Sequence, residues 1–222
     1  MIGFEALICD PPYRTNVYYC IARERQIACV IDAAPGSFKA LRSKLNGLEV
    51  HVFLTHGHRD HVADAKAFQE NLKAKLYLHR DDVPLVNNVP LQKMIAGDQP
   101  YEPFEPDVLP NGGETLTCGG YEFEVLHLPG HTFGSVGFYD KANNQLFVGD
   151  TLFYQTIGRT DLGGSSEKMK TSLARLSQLP PKTVVYPGHG LSTTIESEKS
   201  TFERFGKYET SVICRGFEKQ RR

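Results

Sequence analysis

The sequence predicts an α/β fold, and three features of the chain lead to this prediction. Short apolar runs alternate with amphipathic segments and turn clusters along the whole chain, which is typical of layered α/β proteins. No repeat period or low-complexity run interrupts the alternation. Four of the apolar runs end in a residue type that binds metals. We therefore expect functional residues to gather where strands end.

The bulk composition favours one domain that acts on a small molecule. The chain has 222 residues, of which 40% are hydrophobic, so we expect a single domain over residues 1–222 with a substantial core. Lys and Arg number 25 against 26 Asp and Glu, which gives a net charge of −1. Such a chain has no broad field that would attract nucleic acid or an anionic membrane.

The chain also carries features of a cytoplasmic protein. Its first residues lack a basic segment followed by an apolar run, and no stretch approaches about 18 consecutive apolar residues. The cysteines are odd in number and scattered, with no Cys-x-x-Cys pair. We expect them to be reduced thiols with structural roles: Cys9, Cys20, Cys29, Cys118 and Cys214.

Strand and helix signals follow one another in the first half of the chain. Pro-Gly-Ser at 35–37 favours the start of a helix that ends near Leu45. Apolar residues recur at helical spacing between Val62 and Leu72, which predicts a helix over 61–72. The predicted strands are 16–22, 27–33, 50–55 and 75–79.

The second half begins with a segment of different character. Residues 81–111 carry six prolines and little periodicity, so we expect a long excursion over the surface. Gly119 and Gly120 lie between two alternating runs, which predicts a hairpin. The remaining predicted elements are strands at 134–140, 145–149 and 183–187, and a helix at 166–179.

Candidate metal ligands follow four of the strands. VHVFLT leads into His56, FEVLHLPG into His131, QLFVG into Asp150 and TVVYPG into His189. A sheet is rigid, whereas the loops beyond its strands can bring distant residues together. We therefore expect these four segments to deliver ligands to one sheet edge.

The segment His56-Gly57-His58-Arg59-Asp60-His61 places four residues of ligand type within six positions. Imidazoles suit zinc or iron, and a carboxylate with further histidines can hold a second ion nearby. Asp150 has two carboxylate oxygens and is suited to bridge two ions. The sequence therefore predicts a two-metal site.

Other polar residues favour structural roles. His51 lies inside an apolar strand and His79 at a strand end, so we expect both to be packed or hydrogen-bonded. His127 lies four residues before His131, and we expect it to support the site or the sheet rather than to bind metal.

The turn 158–161 follows closely on the proposed bridging carboxylate. Its Arg159 and Asp161 are expected to pair and brace the loop. Phe153 and Tyr154 could line the cleft or pack in the core, and the sequence leaves both possibilities open.

Taken in order, THGHRDH, LPGHT, VGDTLF and YPGH resemble the defining motifs of the metallo-β-lactamase superfamily. The resemblance spans about Thr55 to His189 and implies an αββα sandwich with the active site along one edge. It implies that His56, His58 and His131 bind one metal, that Asp60, His61 and His189 bind a second, and that Asp150 bridges them. The pairing of Asp60 with His61, and the absence of a cysteine at position 150, differ from the pattern of the zinc β-lactamases.

Within that superfamily, GDTLFYQTIGRTDLGG and PGHT resemble the glyoxalase II group, which hydrolyses S-acyl glutathione. Only 33 residues follow His189, so we expect no separate helical glutathione-binding domain. Gly190 and Leu191 also depart from the acidic-aromatic pair usual in that group. The chain therefore resembles the short glyoxalase II-like hydrolases, and we expect modest discrimination among thiol carriers.

The resemblance implies a thioesterase that holds two divalent ions, with zinc the first expectation and iron or manganese also possible. A metal-bridging hydroxide would attack the thioester carbonyl, and Asp60 would orient it and accept its proton. An alternative is a persulfide dioxygenase with one iron on His56, His131 and Asp150. A lactonase, a phosphodiesterase and a non-enzymatic relative of the same fold are further alternatives.

Overall fold

Two β-sheets pack face to face in the computed structural model, which describes residues 3–9, 13–96 and 101–206. The strands of the first sheet are β1 (Glu5–Ile8), β2 (Asn16–Ala22), β3 (Ile27–Ile31), β4 (Glu49–Phe53) and β5 (Lys75–Tyr77). They lie side by side in the order β1-β2-β3-β4-β5. Strands β1 to β3 pair antiparallel, whereas β3, β4 and β5 pair in parallel.

The second sheet is formed by the second half of the chain. Its strands are β6 (Thr115–Cys118), β7 (Tyr121–His127), β8 (Val136–Asp140), β9 (Gln145–Gly149), β12 (Val184–Pro187) and β13 (Thr193–Thr194), and β10 (Leu152–Phe153) and β11 (Thr156–Ile157) form a separate small hairpin. The spatial order is β13-β12-β9-β8-β7-β6, and β12 pairs with β9 in parallel. Gly119 and Gly120 have φ of 61° and 100°, so the predicted hairpin between β6 and β7 is confirmed.

Helices cover both outer faces of the two sheets. They are α1 (Ser37–Leu45), α2 (Arg59–Val62), α3 (Ala65–Leu72), α4 (Val83–Val86), α5 (Val89–Ala96), α6 (Ser166–Leu176) and α7 (Lys199–Phe205). Three apolar clusters follow from this layering. Leu41 and Phe68 pack against the first sheet, Leu173 and Leu176 pack against the second, and Phe53 lies between the sheets. The predicted αββα sandwich of the metallo-β-lactamase fold is confirmed.

The helix predicted over 61–72 is interrupted. Helix α2 ends at Val62 and α3 begins at Ala65. The carbonyl of His61 accepts a hydrogen bond from Ala33 N at 2.7 Å, and Asp64 N donates to Ala33 O at 2.9 Å. These backbone groups pair with the loop after β3 instead of continuing the helix, an interaction that the helical spacing does not reveal.

The expectation for residues 81–111 was wrong in part. It contains α4 and α5, and Tyr101 and Phe104 are buried in the core of the first sheet. Pro84 and Pro90 lie in the first turns of these helices, where a missing N–H costs no intrahelical hydrogen bond. Residues 97–100 lie outside the described part of the chain.

The cysteine expectation also needs correction. Cys29 of β3 and Cys118 of β6 form a disulfide that joins the two sheets across 89 residues. Cys9 and Cys20 are buried and form no disulfide within the described ranges, as expected, and Cys214 lies outside the described residues. The pairing depends on two strands that meet only in the folded sandwich, so spacing along the sequence could not indicate it.

Within the described ranges, every helix is too short or too polar to cross a bilayer.

Candidate metal centre

The predicted ligands lie just beyond the carboxyl ends of strands in both sheets. Strands β7, β9 and β12 run in the same direction, because β7 and β9 are both antiparallel to β8 and β12 is parallel to β9. Their ends share one edge of the sandwich, where they meet the loop after β4. The structure brings all seven residues together here: His56, His58, Asp60, His61, His131, Asp150 and His189.

A first group consists of His56, His58 and His131, whose candidate ligand atoms all lie within 4.8 Å of one another. His58 Nδ1 lies 2.8 Å from His131 Nε2. The outer nitrogens of both rings donate to backbone carbonyls, His58 Nε2 to Leu162 O at 2.9 Å and His131 Nδ1 to Arg159 O at 2.7 Å. Because a carbonyl only accepts, the neutral rings carry their hydrogens outward and present lone pairs inward.

His56 completes this group in the same way. Its Nδ1 donates to Thr55 Oγ1 at 3.1 Å, and that hydroxyl donates in turn to Asp32 at 2.9 Å. The inner nitrogen, His56 Nε2, is buried and has no hydrogen-bond partner among the described residues. Three lone pairs therefore converge in the first group.

A second group consists of Asp60, His61 and His189. His61 Nδ1 donates to Asp32 Oδ2 at 2.8 Å, so the neutral form of the ring has its Nε2 lone pair facing inward, 3.3 Å from His189 Nε2. Asp60 Oδ2 lies 3.2 Å from His189 Nε2. This group differs from the first because it includes a carboxylate.

Asp150 lies between the two groups. Its Oδ2 is 3.5 Å from His131 Nε2 and 3.4 Å from His189 Nε2, and its Oδ1 is 3.3 Å from His61 Nε2. Gly188 packs so closely here that a Cβ at this position would collide with Asp150 Oδ1. The position of Asp150 is the one expected of a bridging ligand.

The two groups differ in electrostatics. Burial lowers the pKa of His131 to about 4, and it also lowers the pKa values of the other two histidines of the first group. Burial lowers the pKa of His189 too, but hydrogen bonds to Asp150 and Asp60 outweigh it and raise the pKa to about 9. Burial lowers the pKa of His61 as well, but Asp150, Asp32 and Asp60 outweigh burial and raise it well above its usual value. Without an ion, the first group is therefore neutral at pH 7, whereas the second group is protonated.

Asp32 is a functional residue that the sequence analysis missed. It follows β3, is 2% exposed and has a φ of 67°. Its carboxylate accepts hydrogen bonds from Thr55 N at 2.8 Å and from His61 Nδ1, so it orients one ring directly and His56 through Thr55. The signal was present, because Asp32 follows the apolar run IACVI much as Asp150 follows QLFVG.

The remaining histidines in the described ranges lie outside this cluster. His51 Nδ1 is 2.9 Å from the hydroxyl of Tyr77, and its Nε2 is 2.9 Å from Glu49. The rings of His79 and His127 stack with centroids 4.1 Å apart. These contacts agree with the packed or hydrogen-bonded roles predicted for His51 and His79, and the stacking of His127 on His79 agrees with its predicted supporting role.

The turn after Asp150 also agrees with the prediction. Arg159 pairs with Asp161 through two hydrogen bonds of 2.6 and 2.7 Å, while the Arg159 carbonyl holds His131. The ring centroids of Phe153 and His189 lie 6.0 Å apart, and Tyr154 is 50% exposed. Tyr154 is therefore not a core residue, and Phe153 borders the metal centre.

The loop that carries His189 is tied to the start of β2. Asn16 Nδ2 donates to Pro187 O at 3.0 Å and to Gly190 O at 2.9 Å. The Tyr18 hydroxyl also donates to Pro187 O, at 2.8 Å. These bonds, which we call the Asn16 clamp, join residues 169 to 174 positions apart.

The donor set fits two divalent cations. Inward lone pairs lie 2.8 Å apart between His58 and His131, a repulsive contact that a cation would relieve. Asp150 Oδ1, like His56 Nε2, is buried without a hydrogen-bond partner among the described residues. Imidazole nitrogens with carboxylate oxygens suit zinc, iron or manganese.

Relatives with known names share most of this chain. It is 35% identical over 179 residues to a protein of Haemophilus influenzae named hydroxyacylglutathione hydrolase GloC, and the match covers 78% of this chain and 84% of the relative. It is similar to a solved structure called the BLEG-1 B3 metallo-beta-lactamase, with 33% identity, a TM-score of 0.79 and coverage of 89% and 97%.

Two further structures bear on the metals and on the chemistry. One, TTHA1623 in a di-iron-bound form, is 37% identical with a TM-score of 0.75 and coverage of 88% and 96%. The other, ETHE1 from Myxococcus xanthus, is 28% identical with a TM-score of 0.73 and coverage of 92% and 84%. The sequence model of the Metallo-beta-lactamase superfamily matches residues 15–189, a range that contains every residue of the metal centre. This match, together with the fold and the arrangement of the candidate ligands, shows that the chain belongs to the metallo-β-lactamase superfamily.

Proposed function

We propose that this protein is a metal-dependent thioesterase that cleaves S-acyl glutathione or similar small thioesters. The first group would hold one divalent cation and the second group another, with Asp150 between them. Zinc is the metal we would test first, followed by iron and manganese. The observation that carries the proposal is the convergence of inward lone pairs from His56, His58, His131 and His61 on one buried space.

Two cations in this space would supply the positive charge that ionises a water near neutral pH and polarises a carbonyl oxygen. The protein side chains supply the rest. Asp60 Oδ2, 3.2 Å from His189 Nε2, belongs to the second group, and Asp60 would act as the base that takes a proton from that water. Asp32 and the carbonyls of Arg159 and Leu162 keep the histidines in the tautomers that can bind cations.

The choice of thioesters rests on similarity and on charge. The GloC protein shares 35% identity with this chain and carries the name of a hydroxyacylglutathione hydrolase. A thiolate is a good leaving group, so the reaction needs little help from a general acid. The net charge of −1 gives no general attraction for nucleic acid, which disfavours a phosphodiesterase that acts on it.

Iron-dependent oxidation of a persulfide is the main alternative. The three residues that the alternative requires, His56, His131 and Asp150, are adjacent here, with His131 Nε2 3.5 Å from Asp150 Oδ2. The second group favours hydrolysis, because a single-iron enzyme does not require Asp60, His61 and His189 to converge.

A reaction panel tests the proposal. The metal-free chain is loaded separately with Zn²⁺, Fe²⁺ and Mn²⁺, and its metal content is measured. Each form is then assayed for thiol release from S-lactoylglutathione and from thioesters of other thiols, for oxygen uptake with glutathione persulfide, and for hydrolysis of a cephalosporin. We expect about two ions per chain and thiol release by at least one form. Asp60→Asn should lower kcat by about 10²–10⁴-fold, whereas Asp140→Asn, which changes a buried carboxylate at the end of β8, should not.

Two results would overturn this proposal. Oxygen uptake by the iron form without thioester cleavage by any form would assign the chain to the dioxygenases. Cephalosporin hydrolysis without thioester cleavage would assign it to the β-lactamases.

A further inference from the structure

Asp82 is a buried carboxylate that contacts both loops of the first group without belonging to it. Its side chain is 1% exposed. Oδ2 accepts hydrogen bonds from Gly57 N and from Thr132 Oγ1, both at 2.7 Å. Oδ1 accepts from Gly134 N, also at 2.7 Å. Gly57 lies between His56 and His58, whereas Thr132 and Gly134 closely follow His131.

The two loops approach this carboxylate as closely as sterics allow. A Cβ on Gly134 would lie 2.6 Å from Asp82 Cγ, and a Cβ on Gly57 would lie 3.2 Å from Asp82 Cβ. Both positions are occupied by glycine, so each backbone N–H can reach the carboxylate directly. Hydrogen bonds to an ionised acceptor are roughly twice as strong as neutral ones.

Asp82 itself is held by a separate part of the fold. It ends a short 3₁₀ turn, Arg80–Asp82, in which Asp82 N donates to His79 O at 3.0 Å. His79 stabilises this turn, since its Nδ1 accepts a hydrogen bond from Asp81 N and its ring stacks on His127. The carboxylate therefore has a fixed position from which it can orient the two loops.

We propose that Asp82 is a positioning residue: by binding Gly57, Thr132 and Gly134 together, it sets the spacing of His56 and His58 relative to His131 and thereby the affinity of the first group for its cation. This inference rests on the proposed function, since it takes these three histidines as ligands. The proposed role of Asp82 does not require it to contact the substrate. A purely structural carboxylate would support folding to the same extent but would leave the relative affinities of the two groups unchanged.

The test measures cation affinity rather than activity. The full chain is stripped of metal and titrated with Zn²⁺ against a competing chelator, which gives two dissociation constants. His58→Ala assigns one of them to the first group. Asp82→Asn keeps the shape but turns one acceptor into a donor that faces another donor. Thr132→Val removes one of the three hydrogen bonds, and Asp140→Asn is the matched control, since Asp140 is also 1% exposed and accepts hydrogen bonds from Asn143, within its own turn.

We expect Asp82→Asn to raise the dissociation constant of the first group about 10–100-fold and to leave that of the second group within about threefold. Thr132→Val should give a smaller shift in the same direction. Asp140→Asn should shift neither dissociation constant, even if it lowers the denaturant midpoint by as much as Asp82→Asn does.

Three outcomes would count against the inference. Equal shifts for Asp82→Asn and Asp140→Asn would show that the effect is general destabilisation. If Asp82→Asn does not fold, an unchanged first-group constant in Thr132→Val would overturn it instead. A wild-type chain that binds fewer than two ions would refute the proposed function, and the inference with it, before any variant is compared.

Discussion

Replacing Asp32 by asparagine should lower the affinity of the second group for its cation, because it changes the tautomer of one histidine. In the wild-type chain, Asp32 Oδ2 accepts from His61 Nδ1 at 2.8 Å, so the neutral form of His61, which is the form that binds a cation, has its lone pair on Nε2. The substituted side chain keeps one oxygen, which the Thr55 N–H requires at the Oδ1 position. Its amide nitrogen would then donate to His61 Nδ1 and move the ring hydrogen to Nε2, where a cation would otherwise bind.

The size of the effect follows from that hydrogen bond. To bind a cation, His61 must return to its original tautomer and give up a buried bond worth about 1–3 kcal/mol. At about 1.4 kcal/mol per factor of ten, the affinity of the second group should fall about 5–150-fold. Asparagine, like aspartate, tolerates the φ of 67° at this position better than most other non-glycine residues, so backbone strain adds little.

Two measurements check this prediction. Chelator competition gives the dissociation constant of the second group, and nitrogen NMR of the His61 ring reports which nitrogen carries the hydrogen. Asp140→Asn again serves as the control. A folded Asp32→Asn chain with an unchanged second constant, or with the His61 hydrogen still on Nδ1, would refute the tautomer explanation.

Three further predictions concern charge, protons and the disulfide. Asp150→Asn should reduce metal content by at least one ion and lower cation affinity by at least about tenfold, whereas His51→Ala should change neither, as elemental analysis of the purified variants would show. His189 has a pKa of about 9 in the ion-free chain, and carboxylates around His61 raise its pKa well above its usual value. A cation must therefore displace at least one proton. Apparent cation affinity should fall by at least about tenfold per pH unit below 9, and titrations between about pH 6 and 10 in two buffers would reveal the released protons. A pH-independent affinity would contradict this. Reduction of the Cys29–Cys118 disulfide should lower the free energy of unfolding by about 2–4 kcal/mol, and equal denaturant midpoints for the oxidised and reduced chains would be the opposing result.

The residues of the centre that could be predicted from the sequence are those marked by short stretches of neighbouring residues. His56, His131, Asp150 and His189 each follow an apolar run, and a strand can be recognised from such a run without knowledge of its neighbours. The rule that ligands gather at strand ends then places them together before any contact is known. The order of the four motifs along the chain likewise allowed the fold to be predicted before any contact was known.

The parts that were missed depend on contacts between distant segments. The break between α2 and α3 arises because the carbonyl of His61 pairs with Ala33 N. The Cys29–Cys118 pairing requires two sheets to meet, and burial of Tyr101 requires a long loop to return to the core. Asp82 lies in a segment whose sequence is typical of a surface loop, and only the folded chain shows the two loops that its carboxylate joins.

The Asn16 clamp has a consequence for the order in which the protein folds and acquires metal. The loop that carries His189 is fixed by residues near the start of the sequence, which lie 169 to 174 positions away along the chain. Closing loops of that length is slow, so structures dominated by such contacts form late. During synthesis, the first group can assemble once the chain has grown past Leu162, whose carbonyl holds His58. The second group cannot form until the chain has grown past Gly190 and the loop that carries His189 has docked on β2. Cation uptake should therefore occur in two kinetic phases, with the slower phase reporting completion of the whole domain.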